Sequence, residues 1–397
     1  MHQSMLNKWV IVHTDLDTAG GGERVCLEVA RAIYEYLGSK PSLILIQKPQ
    51  KTIALKMLYN YRNYIDKLTW ISNSSTPITI KSTISQILLK LSKKYNKIFV
   101  NNGLESLALL GTVIYVHYPF NLDLYGTFNG IKRVYGFFTI MMNDLINYMY
   151  NFNKSKSPSK ILIFNSTYTL NKTIQLAKIW FVIAPTTFYI INNAKKFVIF
   201  PPVESKAIVK NIPLRDNRDD IIIVLSRISR EKKIEYSILI LKLLHKFFNI
   251  NAKLFIIGSL NDVAYYQYLK SLVRKMHLDN YVNFFLDVDD KTKIRLLGKG
   301  KVLFHPMPGE HFGISIVEAM AAGLIPVISK ESGIGSLGIL DERWLYSDIG
   351  RPFDIARILA YALNNWNIEY ANKLREISIM FSSEIFRQRI AEVLRNV

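Results

Sequence analysis

The sequence predicts an α/β protein of two domains, and three observations carry that prediction. At 397 residues the chain is longer than a single core usually organises. Hydrophobic residues make up 49% of it, in short strand-like runs alternating with stretches of helical period. Residues 302–335, VLFHPMPGEHFGISIVEAMAAGLIPVISKESGIG, read as a complete strand–loop–helix–strand unit.

In that unit Val302–Phe304 is a short apolar run of the buried parallel kind. His305-Pro306-Met307-Pro308-Gly309 breaks it into a loop ending on Glu310. From Gly313, the residues Ile314, Val317, Glu318, Met320 and Ala321 recur at helical spacing until Gly323 stops the helix, and Ile325–Ile328 is the next strand. Two carboxylates, Glu310 in the loop and Glu318 in the helix, stand eight positions apart. Between them, backbone N–H groups from Phe312, Gly313, Ile314 and Ser315 to Ile316 sit at a helix N-terminus, where phosphate oxygens bind. Spacing alone fits a solvated helix face equally well.

Composition narrows the function classes. Cys26 is the one cysteine, so no disulfide framework exists within the chain and a reducing compartment is expected. The stretch MHQSMLNKWVIVH lacks the pattern of a signal peptide, and no run of about 20 apolar residues occurs, so a cytoplasmic protein without a spanning helix is expected. The net charge is +20, of which +14 lies in residues 1–200 and +6 in the remainder. Such a field favours phosphates, nucleic acid or an acidic membrane surface. No nucleic-acid motif, and no aromatic platform interleaved with basic residues, accompanies it.

Taken in order, Lys8–His13 is the first predicted strand. The loop Thr14–Gly22 carries Gly20, Gly21 and Gly22, and a helix is predicted from Glu23. These glycines fit a tight turn or a close backbone approach to a ligand. Val25 stands where a dinucleotide fingerprint needs glycine. Leu43–Ile46 is the next strand, and residues 51–97 read as basic and irregular, either solvated or membrane-facing, with helical spacing at Ile84, Ile87, Leu88 and Leu91. Ile98–Val100 and Val113–Val116 are strands, the latter delivering His117 at its end. Residues 131–152, rich in aromatics and Met but interrupted by Asn143, Asp144 and Asn147, form either a buried helix or a patch dipping into lipid. Ile161–Phe164 is a strand and Asn165-Ser166-Thr167 opens a helix. Pro201-Pro202 ends the first domain, 1–203, and the polar segment 204–219 is predicted as the interdomain linker.

The second domain, 220–380, opens on the apolar strand Ile221–Leu225, which ends in Ser226-Arg227-Ile228-Ser229-Arg230-Glu231-Lys232. Leu254–Ile257 is a strand with a turn at Gly258, and Tyr281–Phe285 is another, followed by the acidic run Asp287–Asp290. The tail, 381–397, is amphipathic.

The run G-E-H-F-G-I-S-I-V-E-A-M-A-A-G-L-I-P-V-I resembles the E-x7-E signature of the retaining glycosyltransferases of family four. The segments I-Y-V-H-Y-P at 114–119 and 161–176 are similar to the family's α-1,2-mannosyltransferases of lipid-linked oligosaccharide assembly. The resemblance implies the GT-B fold: two doubly wound, Rossmann-like domains facing a central cleft, with the final helix crossing back to the first domain. It implies that Arg227 and Lys232 hold the donor diphosphate, that Gly258 lies near the nucleotide, that Glu318 binds the ribose, and that Glu310 orients sugar hydroxyls. By it, His117 touches the transferred sugar. It further implies a nucleotide-sugar donor, GDP-mannose first and a UDP-sugar as the alternative. A polyprenyl-diphosphate-linked or other glycan acceptor would meet it at the cytoplasmic face of an anionic membrane. No metal and no other cofactor are implied, and no nucleic-acid partner. A catalytically silent GT-B subunit and a basic nucleic-acid-binding protein are the readings from other classes.

Overall fold

In the computed structural model, residues 8–17, 20–72, 78–91, 95–101, 109–119, 122–123, 131–152, 160–216 and 218–397 are described. The chain divides into two α/β units, Met1–Pro202 with Ser383–Val397, and Val203–Ser382. Thr18 and Ala19 of the predicted loop Thr14–Gly22 lie outside the described residues.

The strands of the first unit are β1 (Trp9–His13), β2 (Ser42–Gln47), β3 (Leu68–Ser72), β4 (Lys97–Val100), β5 (Val113–Val116), β6 (Ile161–Phe164) and β7 (Lys195–Val198). All pair in parallel in the order β3-β2-β1-β4-β5-β6-β7, so the winding reverses between β1 and β4. Alternation along β1 puts Trp9 and Ile11 in one core and Val10 and Val12 in the other. Both faces are therefore covered, which is why these strands read as unbroken apolar runs.

Within the stretch read as irregular the structure has two elements, the helix Thr52–Tyr61 and strand β3. The helix buries only Ala54 and Leu58, and β3 is an edge strand, so neither needs a strong apolar period. The helix predicted from Glu23 begins at Gly21 instead. Glu23 reaches back to accept the Gly20 N–H at 2.8 Å and stabilises the earlier start. Gly21 and Gly22 thus belong to the first helical turn, and Gly20 is its N-cap.

The helix Ser383–Arg395 packs on Gly21–Leu37 inside the first unit. Phe386, Ile390 and Leu394 join that unit's core, and Arg387 Nη1 donates to Glu28 Oε2 at 2.6 Å.

The second unit carries β8 (Ile221–Leu225), β9 (Lys253–Gly258), β10 (Val282–Leu286), β11 (Val302–Phe304), β12 (Ile325–Ser329) and β13 (Leu345–Tyr346). Its parallel order, β10-β9-β8-β11-β12-β13, reverses between β8 and β11. Segment 204–219, expected as a polar connection, holds the helix Ser205–Asn211 and lies in this unit. Ile208 and Ile212, four apart, are buried there, and Arg218 is buried as well. Arg218 donates to the carbonyls of Gly300 at 2.9 Å and Ala322 at 2.6 Å, with its guanidinium over the Trp366 ring. Burial pushes its pKa down to about 10. No helix among the described residues is long and apolar enough to cross a membrane.

Candidate active site

Open parallel sheets present ligand sites at the carboxyl ends of their strands, where the order reverses. In the second unit that place is the ends of β8 and β11. After β8 the chain turns at Ser226–Arg227 against Gly258, the last residue of β9. A Cβ on Gly258 would lie 1.8 Å from the Ser226 carbonyl oxygen, so the close approach of these two strand ends requires glycine. A short 3₁₀ turn, Arg230–Lys232, then delivers Lys232.

Lys232 Nζ donates to Glu310 Oε2 at 2.7 Å, and both side chains are largely buried. His305, the first residue after β11, places Nε2 at 3.0 Å from the same oxygen. A carboxylate only accepts, so His305 Nε2 carries the proton of that bond. The His305 carbonyl accepts from the Tyr346 hydroxyl at 2.9 Å, which fixes the base of the loop. Burial pushes the Glu310 carboxyl up. Lys232, the His305 hydrogen bond and the nearby His305 and His311 outweigh burial and hold Glu310 well below the usual carboxylate range. Arg227 stands apart from this cluster: it is half-exposed and lies 3.6 Å from Glu231. The two cations paired in the sequence reading thus occupy different environments.

The Glu310 loop rests on the turn at 332–335. Gly333 N–H donates to Glu310 O at 2.7 Å and Ile334 N–H to Phe312 O at 3.1 Å. A Cβ on Gly333 would fall 2.3 Å from His311 O. Gly313 caps the helix Ile314–Ala321 with φ +101°, a left-handed conformation that favours glycine. The Phe312 ring is buried edge-on to Phe381, so this residue can offer a ligand only backbone. Ile316 N–H is used by the Gly313 carbonyl at 2.9 Å, which takes Ile316 out of the expected phosphate-facing donors and leaves Phe312, Gly313, Ile314 and Ser315. Glu318 is 6% exposed, and its Oε1 accepts from Lys293 at 3.1 Å. Lys293 comes from the helix Asp290–Leu297.

The acidic run 287–290 is occupied structurally. Asp289 caps that helix through Thr292 N–H at 2.7 Å, and Asp290 pairs with Lys293 at 3.1 Å. Among the described residues no group of three His, Cys, Asp or Glu is arranged to hold a metal ion.

The first unit builds its own cluster at the ends of β1, β4 and β5. His117 Nε2 lies 3.2 Å from Asn101 Oδ1, and His13 Nδ1 lies 3.0 Å from Asn101 O. Asn101 Nδ2 donates to Gly22 O at 2.8 Å, and Asn165 Nδ2 to His117 O at 2.8 Å. A Cβ on Gly22 would point at both imidazoles, 3.7 Å from His117 Nε2 and 3.8 Å from His13 Cε1. The structure therefore brings Gly22 and His117 together. His13, Asn101, His305 and Lys293 were missed in the sequence. The first three directly end or follow central strands, and that position was the available signal.

The family described as Glycosyl transferases group 1 matches residues 190–379. That match spans 190 of the chain's 397 residues. The chain is a glycosyltransferase of the GT-B fold. It is similar in fold to Anabaena HepE in complex with UDP and glucose, at a TM-score of 0.68 and 16% identity, over 98% of this chain and 100% of that one. Among curated relatives, the GDP-Man:Man(3)GlcNAc(2)-PP-Dol alpha-1,2-mannosyltransferase of Dictyostelium discoideum is 25% identical, over 96% of this chain and 83% of the relative. The Candida albicans protein of the same description is also 25% identical, over 81% of this chain and 60% of the relative. The matched residues include the Lys232–Glu310–His305 cluster and the Glu318–Lys293 pair.

Proposed function

We propose that this glycosyltransferase moves mannose from GDP-mannose to a polyprenyl-diphosphate-linked oligosaccharide, with retention of anomeric configuration and without a metal, at the cytoplasmic face of a membrane. The observation that carries the reading is the Lys232–Glu310–His305 cluster at the β8/β11 switch point, inside the domain that matches the family. The relatives' described donor and acceptor supply the substrate class.

In this reading the donor diphosphate lies against Lys232 and Arg227, with the first-turn N–H groups of Ile314 and Ser315 supporting it. The bond from the anomeric carbon to the diphosphate oxygen breaks, and the nucleoside diphosphate departs with the electron pair. An acceptor hydroxyl forms the new bond on the same face and gives its proton to the departing phosphate oxygen. Fixed cations stabilise the charge that grows on that oxygen. Glu310, kept ionised by its neighbours, faces the sugar and favours the positive charge developing at the anomeric carbon. Glu318 binds the ribose hydroxyls. His117, held by Asn101, is assigned to sugar recognition on the resemblance of its I-Y-V-H-Y-P segment.

The test offers the purified chain GDP-mannose, UDP-glucose and ADP-glucose, each with a short-chain lipid-diphosphate-linked oligosaccharide and EDTA. Mannose transfer in an α linkage with GDP-mannose is expected. Transfer from a UDP-sugar alone would replace the donor, and no transfer from any of the three would remove the reading.

A further inference from the structure

The helix Ile131–Asn147, continued by the π-helical turn Tyr148–Phe152, is built inside out. A surface helix normally turns its apolar stripe to the core and its polar face to water. Here Val134, Phe138, Met141, Met142, Leu145 and Met149 recur at intervals of three and four, and each is between 45% and 61% exposed. The opposite side carries the amides and the carboxylate. Asn143, Asp144, Asn147 and Asn151 are all buried.

Those buried polar groups hold the first unit together. Asp144 accepts the Thr187 N–H at 2.6 Å and the Thr186 N–H at 3.4 Å, capping the helix Pro185–Asn193. Asn147 accepts from Leu109 N–H at 2.8 Å and donates to Thr187 Oγ1 at 3.0 Å. Asn143 accepts from Thr83 Oγ1 at 3.1 Å. The helix is therefore fixed along one side by these hydrogen bonds and by Ile140, which is buried in the core, while the apolar stripe on its other side is left to solvent. Phe181 and Val182 extend the apolar surface. Their neighbour Trp180 packs on Phe137 of the helix, with ring centroids 6.2 Å apart, and Val182 is 86% exposed.

The sequence around this helix is basic: residues 1–200 carry +14, Asp144 is buried, and Lys160 is buried on the Leu110 and Gly111 carbonyls. Arg133, near the start of this helix, and Lys178, in the last turn of the helix Thr167–Ile179 that leads to Phe181, are exposed. An apolar stripe of Phe, Met, Leu and Val rimmed by cations is the pattern of a helix lying in a lipid interface. A protein partner's interface instead depletes lysine and mixes both signs of charge for register. Tyr135 and Tyr148, near either end of the stripe, are exposed where hydroxyls would meet headgroups.

We propose that this face seats the first unit on an anionic bilayer, with the stripe inserted into the interface and Arg133 and Lys178 at the headgroups. The choice of a bilayer as occupant rests in part on the lipid-linked acceptor proposed above. The surface assignment is tested without that activity.

The experiment is flotation of the full chain with phosphatidylcholine vesicles containing 30% phosphatidylserine, and with pure phosphatidylcholine vesicles. Phe138→Gln/Met142→Gln and Val134→Gln/Leu145→Gln are compared with a control, Val263→Gln, at an exposed apolar position of the other unit. Each double variant should lose about tenfold or more in partitioning, since each withdraws two apolar side chains from the lipid. The control should float like the parent, and all variants should keep the parent's melting temperature. Parent binding should fall, but persist, when phosphatidylserine is omitted. Equal flotation of parent and both double variants would overturn the proposal. So would a parent that ignores vesicles and instead forms a dimer that the double variants break, which would make the face a contact between copies. A chain that floats through this face yet transfers no sugar from GDP-mannose supports the surface assignment and sinks the activity reading alone.

Discussion

Lys232 and Glu310, 78 positions apart in sequence, meet at 2.7 Å between the ends of β8 and β11. The strand reversal brings them together, and His305 closes on the same carboxylate oxygen. In the proposed reading a donor diphosphate would meet a lysine already oriented by a carboxylate, its charge positioned before the ligand arrives.

The two glutamates should separate kinetically. Glu310→Gln should lower single-turnover rate by about 10²–10³, the cost of losing one electrostatic stabiliser, with a small change in donor dissociation constant. Glu318→Gln should chiefly weaken donor binding, because ribose hydroxyls do not change during transfer. Rate loss confined to Glu318→Gln would reverse the assignment.

Lys232→Ala should lower both affinity for the free nucleoside diphosphate and turnover, and should do so more than Arg227→Ala. Lys232 is largely buried and paired, whereas Arg227 is half-exposed and screened by solvent. Calorimetric titration with GDP compares the two directly. A larger loss in Arg227→Ala would mean that Arg227 moves onto the diphosphate and carries most of its charge.

Acid stability should report the same cluster. Glu310 has a folded-state pKa below its unfolded value of about 4.3, so the folded state binds fewer protons there. Its contribution is fully present above about pH 4.3 and is lost as pH falls through the depressed folded value. The melting-temperature gap between parent and Glu310→Gln should hold from pH 7 to about 4.5 and close below that. A gap that widens on acidification contradicts the assignment.

Arg218→Leu should destabilise the second unit by about 1.5–3 kcal/mol, because the Gly300 and Ala322 carbonyls lose a charged donor in a buried place. Urea unfolding followed by Trp366 fluorescence reads this, since the ring lies under the guanidinium. An unchanged midpoint would show that water replaces the donor.

In the first unit, Arg387→Met should cost about 3–5 kcal/mol by leaving Glu28 buried without its cation. Adding Glu28→Leu should recover much of it, because removing both members of a buried ion pair costs less than removing one. A double variant no more stable than Arg387→Met would locate the loss in packing.

What the sequence made legible follows from how much each residue's neighbours are local. The 302–335 unit was readable because its strand, loop and helix signals are contiguous, and the structure keeps that order. The apolar runs of β8 and β11 declared buried strands for the same reason. Helix Thr52–Tyr61 and β3 were hard to place because each buries little. Arg218 read as a linker charge because its partners, at 300 and 322, are distant in sequence. His305 lay in plain view beside Glu310, but its importance depends on a ring–carboxylate contact that spacing does not encode. The helix at 131–147 was read as either buried or lipid-facing, because a composition rich in aromatics and Met does not say which side faces water.

The return of residues 383–395 to the first unit has a consequence for biosynthesis. Phe386, Ile390 and Leu394 fill a core whose other walls are made from residues 9–199. On the ribosome those walls emerge first, then wait while all of Val203–Ser382 is translated, roughly 10–40 s at about 5–20 residues per second. The second unit can close as it emerges, while the first stays incomplete with an apolar groove open to chaperones. Synonymous codon changes that slow translation between 203 and 382 should therefore lower the yield of folded protein without altering a single side chain.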